Sequence, residues 1–586
     1  MIMRKSVLRR LLTYTRPYRW LIVLALLCAV IGITGSLLVP VLVGDAIDWI
    51  AGGGQVNFPY VARLLVQLGV TVGLSALFQF VMAALTNRIT YRTVRDLRVE
   101  AFRKLNSVPL KYIDGHPHGD LISRIINDID AVSDGLLQGL TQLFTGVVTI
   151  VGTLLFMLTI NAGITLVVVL VTPLSLFVAT FIAKLCNKQF REQSATQGEL
   201  SGFVDEMVGN QKVVKTFCYE DRSQAKFQEI NSRLYRCGVK AQFYSSLSNP
   251  CTRFVNSVVY TAVGVIGAVS AISGGLTVGQ ISCFLSYANQ YTKPFNDVTS
   301  IVTQIQAAFA SAMRVFQVLD EEPESPDVAT VRLPQTCEGR VDIENVSFSY
   351  RPDQTLIEDL NLLVQPGNRI AIVGPTGCGK TTIINLLMRF YDVTSGSIKV
   401  DGADIREIPR GELRRRFGMV LQDTWLYSAT VRENIAYGRP DATDEEIVAA
   451  AKAAHAHSFI KRLPKGYDTL ISENGGNISQ GQKQLLCIAR VMLADPPMLI
   501  LDEATSNIDT ITEIRVQKAF AQMMRGRTSF VVAHRLSTIK EADVILAMNN
   551  GRIVEQGTHE DLLSKNGFYA NLYNSQFVRT EESDPQ

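Results

Sequence analysis

Six stretches in the first 300 residues contain no Asp, Glu, Lys or Arg: residues 20–43, 64–86, 135–160, 161–183, 254–275 and 276–292. Runs of this kind leave few folds open. In lipid every backbone N–H and C=O must be satisfied inside the segment, which for a single run means a helix. At a rise of ~1.5 Å per residue, each run but the last reaches the ~30 Å of hydrocarbon in a bilayer. The last is short and polar, and counts as a span because the flanking charges require an even number.

Those charges fix the orientation. Residues 1–19 carry Arg4, Lys5, Arg9, Arg10, Arg16 and Arg19, whereas the loop 44–61 has no Lys or Arg. The connection 87–134 holds Arg88, Arg92, Arg95, Arg98, Arg103 and Lys104, and the connection 184–253 opens with Lys184, Lys188 and Arg191; the turns near 161 and 275 are uncharged. Cytoplasmic loops concentrate Lys and Arg, so six spans with both ends in the cytoplasm are expected. The first run is about twice the length of a signal-peptide core and is read as a retained span. The two basic connections repeat apolar residues at helical spacing, so they should prolong the membrane helices into the cytoplasm and reverse near 109–119 and 208–217. His116 and His118, two residues apart, read as surface side chains. Lys293, Arg253 and Asn256 are candidates for lining a substrate path.

A net charge of +3 without a long basic tract argues against nucleic acid as a partner. The nine cysteines show no CxxC spacing, so neither a disulfide framework nor a zinc site is expected.

Residues 320–340 are acidic, proline-bearing and without apolar period, and read as a linker. A second domain is expected over 341–576, before a polar tail at 577–586. A strand over 369–373 leads directly into Gly374, Pro375, Thr376, Gly377, Cys378, Gly379, Lys380 and Thr381, followed by Thr382 and a helix. That order is the context in which GxxxxGK[ST] binds nucleotide. Glycines let backbone N–H groups converge on phosphates, Lys380 neutralises the β and γ phosphates, and Thr381 offers a hydroxyl to Mg²⁺. Leu499, Ile500 and Leu501 form an apolar strand ending in Asp502 and Glu503. Asp502 is read as a magnesium ligand and Glu503 as the group that orients or deprotonates the attacking water, against a plainer role for the pair as caps of the next helix.

The stretch Ile478, Ser479, Gln480, Gly481 and Gln482, taken with the phosphate loop, resembles the signature of the ATP-binding cassette family. Six spans followed by one cassette are similar to the half transporters among its exporters, of the multidrug and lipid type. The expected fold is an α-helical six-span transmembrane domain, residues 1–319, fused to an α/β P-loop ATP-binding cassette domain. The resemblance implies ATP and Mg²⁺ as cofactors, with Tyr350 stacking on adenine, Gln422 linking magnesium to the membrane domain, His534 at the γ-phosphate and Asp509 in the loop after Glu503. It places Glu473 where exporters contact short coupling helices. It also implies membrane lipid and a small hydrophobic or amphipathic substrate, a drug, lipid or peptide, as partners. An ATP-gated channel or regulatory membrane receptor would share every one of these motifs. An importer fits less well, because spans and cassette share one chain.

In this family the signature serves the γ-phosphate held by the opposite cassette, and Gln480 stands where glycine is usual. Its side chain adds bulk and forfeits the φ freedom of glycine, so the partner's site should suffer. With Glu503 and His534 retained, the chain resembles the catalytically intact subunit of a heterodimeric exporter, whose partner has a regular signature and an altered carboxylate. A homodimer that tolerates the variant is the alternative.

Overall fold

The computed structural model describes residues 2–51, 56–327, 337–351, 356–422, 424–472, 477–502, 508–533 and 536–575. The chain divides into two compact units: Met1–Ser107 with His116–Glu322, and Val108–Gly115 with Pro323–Gln586.

The first unit is helical. A short α1 (Ile2–Thr15) precedes α2 (Arg19–Ala51) and α3 (Phe58–Leu105). After the reversal carrying α4 (Leu110–Asp114) and α5 (His118–Ser123), a π turn at Arg124–Asp128 feeds α6 (Ile129–Ile160). Then come α7 (Ala162–Gly209), α8 (Gln211–Thr216), α9 (Glu220–Ile272) and α10 (Val278–Asp320). The expected prolonged helices are present, since α7 and α9 run for 48 and 53 residues. Six long helices are thus compatible with six spans; by length and composition α2, α3, α6 and α9 qualify among the described residues.

Apolar side chains such as Leu65, Val66, Phe80 and Ile272 point outward, as lipid-facing positions require. Inside, small residues let helices approach: a Cβ on Gly279 would lie 2.0 Å from the Gly44 carbonyl oxygen. The α2–α10 seam is closed by Tyr287, whose hydroxyl donates to the Leu37 carbonyl at 2.6 Å, and by Asp48, which accepts from Thr277 Oγ1 at 2.6 Å and Gly279 N at 2.7 Å. A second core gathers Val7, Leu11, Leu97, Ile129 and Val315, beside which Arg314 Nε donates to Asp128 at 2.7 Å. Lys293 and Arg253 are exposed on their helices, and Asn256 Oδ1 is buried without a hydrogen-bond partner.

The second unit is α/β. Strands β1 (Val341–Phe348) and β2 (Ile357–Val364) precede β3 (Arg369–Val373) and α11 (Lys380–Leu387). There follow β4 (Ser395–Val400), β5 (Ala403–Asp404), α12 (Arg410–Arg415) and β6 (Phe417–Val420). Helices α13 (Val431–Ala436), α14 (Asp444–Ala453), α15 (His457–Ile460) and α16 (Gln480–Ala494) lead to β7 (Met498–Asp502), α17 (Thr510–Met524) and β8 (Thr528–Val532). The chain continues through α18 (Leu536–Lys540), β9 (Val544–Asn549) and β10 (Arg552–Gly557). One sheet is antiparallel, in the order β2-β1-β4-β5; the other runs β10-β9-β3-β8-β7-β6, parallel except at β10. The parallel strands are almost wholly buried, as Met498, Leu499, Ile500 and Leu501 show, because both faces of such a sheet are covered. The segment entering this unit is pinned early: Arg410 Nη1 donates to the Ser325 carbonyl at 2.7 Å and to Asp327 at 2.8 Å.

Candidate active site

The parallel order explains why motifs far apart in sequence meet. Strands β3, β8, β7 and β6 are consecutive neighbours, and at their carboxyl ends the chain reaches Gly374, Ala533, Asp502 and Gln422. Ligands of open α/β sheets bind at that edge. Glu503 and His534 follow β7 and β8 in sequence but lie outside the described residues, as does Glu473.

The loop after β3 owes its shape to glycine. Gly377 and Gly379 sit at φ +83° and +101°, where a side chain is strained. Gly374 is needed for space as well, since a Cβ there would lie 2.3 Å from the Met548 carbonyl oxygen and 2.8 Å from Cys378 Sγ. Pro375, Thr376 and Gly377 form the exposed crest, and Cys378 is buried beneath it. Lys380, the first residue of α11, curls back so that Nζ donates to the carbonyls of Gly374 at 2.8 Å and Pro375 at 2.9 Å. Its ammonium therefore lies over the crest, in front of the helix N-terminus, where phosphate charge is stabilised. Thr381 is exposed in the first turn, whereas Thr382 is buried.

Tyr350 is held beside this helix. Asn385 Nδ2 donates to its hydroxyl at 3.1 Å, the hydroxyl is 3.5 Å from Thr382 Oγ1, and the ring meets Tyr391 edge-on at 5.0 Å. Tyr391 in turn donates to Asp114 of α4 at 2.5 Å, inside the same compact unit. Burial and the neighbouring carboxylate push the Tyr391 phenol up, so the proton stays on the donor throughout the physiological range. Val108–Gly115, the first part of the turn, thus belongs to the same compact unit as the cassette.

The signature forms the start of α16. Ser479 is the N-cap: its Oγ accepts from Gln482 N at 3.3 Å while Gln482 Oε1 accepts from Ser479 N at 3.0 Å, a reciprocal capping box. The cap uses a lone pair of Ser479, which leaves the hydroxyl proton to donate to a phosphate. Gly481 is buried, and a Cβ there would lie 2.4 Å from Thr512 Cγ2 and 2.8 Å from Ile508 Cγ2. Asp509 caps α17, accepting from Thr512 N at 2.9 Å, and this bond holds its carboxyl below the usual carboxylate range.

One expectation is corrected. Gln480 is the first helical residue of α16 and is not among the residues with positive φ, so glycine's conformational freedom is not required there. Its amide Nε2 instead donates to Thr424 Oγ1 at 3.1 Å. Thr424, and Arg490 further along α16, carried no local sequence signal: their roles depend on residues more than fifty positions away.

The donor set fits the expected cofactors. Thr381, Gln422 and Asp502 supply oxygen ligands of the kind Mg²⁺ takes, and the cradle at Gly374 is too tight for any side chain.

Known proteins share this two-part architecture. Residues 22–295 match the family model for the ABC transporter transmembrane region, and residues 357–506 match the ABC transporter model. An uncharacterized ABC transporter ATP-binding protein of Bacillus subtilis, YfiC, is 42% identical over 98% of this chain and 95% of its own length. A fatty acid ABC transporter ATP-binding/permease protein of Mycobacterium bovis is 41% identical over 88% of this chain and 82% of its own. The structure of a bacterial Atm1-family ABC exporter with ATP bound superposes with a TM-score of 0.78 at 30% identity, covering 95% of this chain and 98% of that one.

Proposed function

The chain belongs to the ABC transporter family, as an integral multi-pass membrane protein with a cytoplasmic cassette, and from that premise we propose that it is half of a heterodimeric exporter with two unequal ATP sites. Its cargo is a hydrophobic or amphipathic molecule, a drug, lipid or peptide, moved out of the cytoplasm or the inner leaflet. The fatty acid relative favours the lipid end of that range.

ATP hydrolysis drives export. The observation that carries the mechanism is the alignment of Gly374, Asp502 and Gln422 at one edge of the parallel sheet, in a chain whose other unit is membrane-length helices. Lys380 and the amides of the loop bind the phosphates. Ser479, Gly481 and Gln482 form the face offered to the nucleotide of a second cassette, so ATP is the glue between two chains. Glu503 orients or deprotonates the attacking water, and His534 contacts the γ-phosphate. Mg²⁺, held by Thr381, Gln422 and Asp502, neutralises phosphate charge when bound. Closure of the cassettes must be strongly favoured by ATP, because a conformational equilibrium moves only by the difference in ligand affinity between its states.

The heterodimer reading is supported by the departure at Gln480 beside the retained Glu503 and His534. The chain expressed alone should then lack transport-coupled ATPase activity, and full activity would leave a homodimer as the assembly. Glu503→Gln should bind ATP while phosphate release falls by roughly 10²–10⁴-fold, the worth of a positioned general base; steady-state turnover at the parent rate would remove Glu503 from the mechanism. Accumulation of substrate against its gradient in sealed vesicles separates an exporter from an ATP-gated channel.

A further inference from the structure

We propose that Gln480 is a positioning residue that couples the two ATP sites, by tying the Gln422 loop of this chain's own site to the signature that serves the opposite one. The proposal rests on the two-cassette reading above.

Two attachments fasten the segment after Gln422 to α16. Near Gln422, Gln480 Nε2 donates to Thr424 Oγ1 at 3.1 Å. Further along, Arg490 Nη1 donates to the Trp425 carbonyl at 3.3 Å, its Nε donates to the Asn434 carbonyl at 2.9 Å, and its guanidinium lies over the Trp425 and Tyr437 rings at 5.9 and 5.0 Å. Cys487, two turns beyond Gln480 on the same helix face, places Sγ 3.9 Å from the Trp425 carbonyl oxygen.

The two attachments do different work. Arg490 and Cys487 hold the base of the loop whatever stands at position 480. The capping box of Ser479 and Gln482 is complete without Gln480, so the amide is not part of the helix cap. Its contact with Thr424 is therefore the bond that reaches the end of the loop next to Gln422. A glycine at 480 has no atom with which to make it. When Ser479 engages the γ-phosphate of the opposite site, any shift of the α16 N-terminus is passed through this bond to Gln422, two residues before Thr424.

The test uses the purified complex in lipid nanodiscs, with substitutions in this chain only. Gln480→Met keeps length and removes the hydrogen bond; Thr424→Val removes its acceptor; Thr424→Ser keeps it, because serine retains the hydroxyl. ATPase rates are measured against ATP concentration, with unfolding midpoints alongside. Gln480→Met and Thr424→Val should each lower kcat about threefold, the worth of one neutral hydrogen bond, with KM within about twofold. Each should bring the Hill coefficient toward 1, the double variant should be no worse than either single one, Thr424→Ser should keep the parent behaviour, and the unfolding midpoint should not move. Additive losses in the double variant, or parent cooperativity in both single ones, would overturn the proposal. Lys380→Ala, assayed for ATP binding in parallel, reports on the nucleotide site separately, so a failure of that reading is not mistaken for a failure of the bond.

Discussion

The phosphate loop and the signature each bring glycine to the start of a helix, yet their glycines answer different demands. At Gly377 and Gly379 the demand is conformational, and the backbone itself shows it through positive φ. At Gly481 the backbone is ordinary helix and the demand is proximity, because Ile508 and Thr512 fill the place of a side chain. Position 480 meets neither demand. The contrast teaches that a glycine-rich motif is not one constraint but several, and that the family's usual residue at a position is not always the one this fold requires.

Substitutions rank the two loops. The largest effect is expected at Gly374, where alanine would set a Cβ 2.3 Å from the Met548 carbonyl oxygen. Overpacking against backbone should cost about 1–3 kcal/mol, with ATP binding lost besides, read by nucleotide titration and by the unfolding midpoint. A variant that binds ATP as the parent does would show that the loop can relax. Gly481→Ala comes next, because the contacts at 2.4 and 2.8 Å are with side-chain methyl groups that can yield. A loss near the lower end of the same ~1–3 kcal/mol range is expected, with the start of α17 displaced. Ser479→Ala should cost about 1 kcal/mol for the lost cap, together with the donor aimed at the opposite γ-phosphate; an unchanged midpoint would mean that Gln482 caps alone. The smallest change in stability is expected at Gln480→Ala, within about 0.5 kcal/mol, as for other exposed sites. If Gln480→Ala proved as costly as Gly481→Ala, the distinction between the two positions would collapse.

Much of this was legible without coordinates. The uncharged runs, the basic connections and the reversals near 109–119 and 208–217 follow from hydropathy, charge and helical period, and the long helices with their short turns match them. The phosphate loop was legible because its residues are contiguous and its shape is set by its own backbone. The packing of α4 with the cassette lies at the other extreme. The hydroxyl of Tyr391 reaches Asp114 across 277 positions, and nothing local to either residue announces it.

The signature divides along the same line. The sequence by itself determined that Ile478 to Gln482 resembles the family's signature and that position 480 departs from it, because residue identity is local. Only the tertiary structure decided that Gly481 is the glycine the fold requires, and that the Gln480 amide is turned onto Thr424 of its own chain. Both depend on segments that the order of the parallel strands brings to the same edge, and a distance through space between residues 56 positions apart is not written in either neighbourhood.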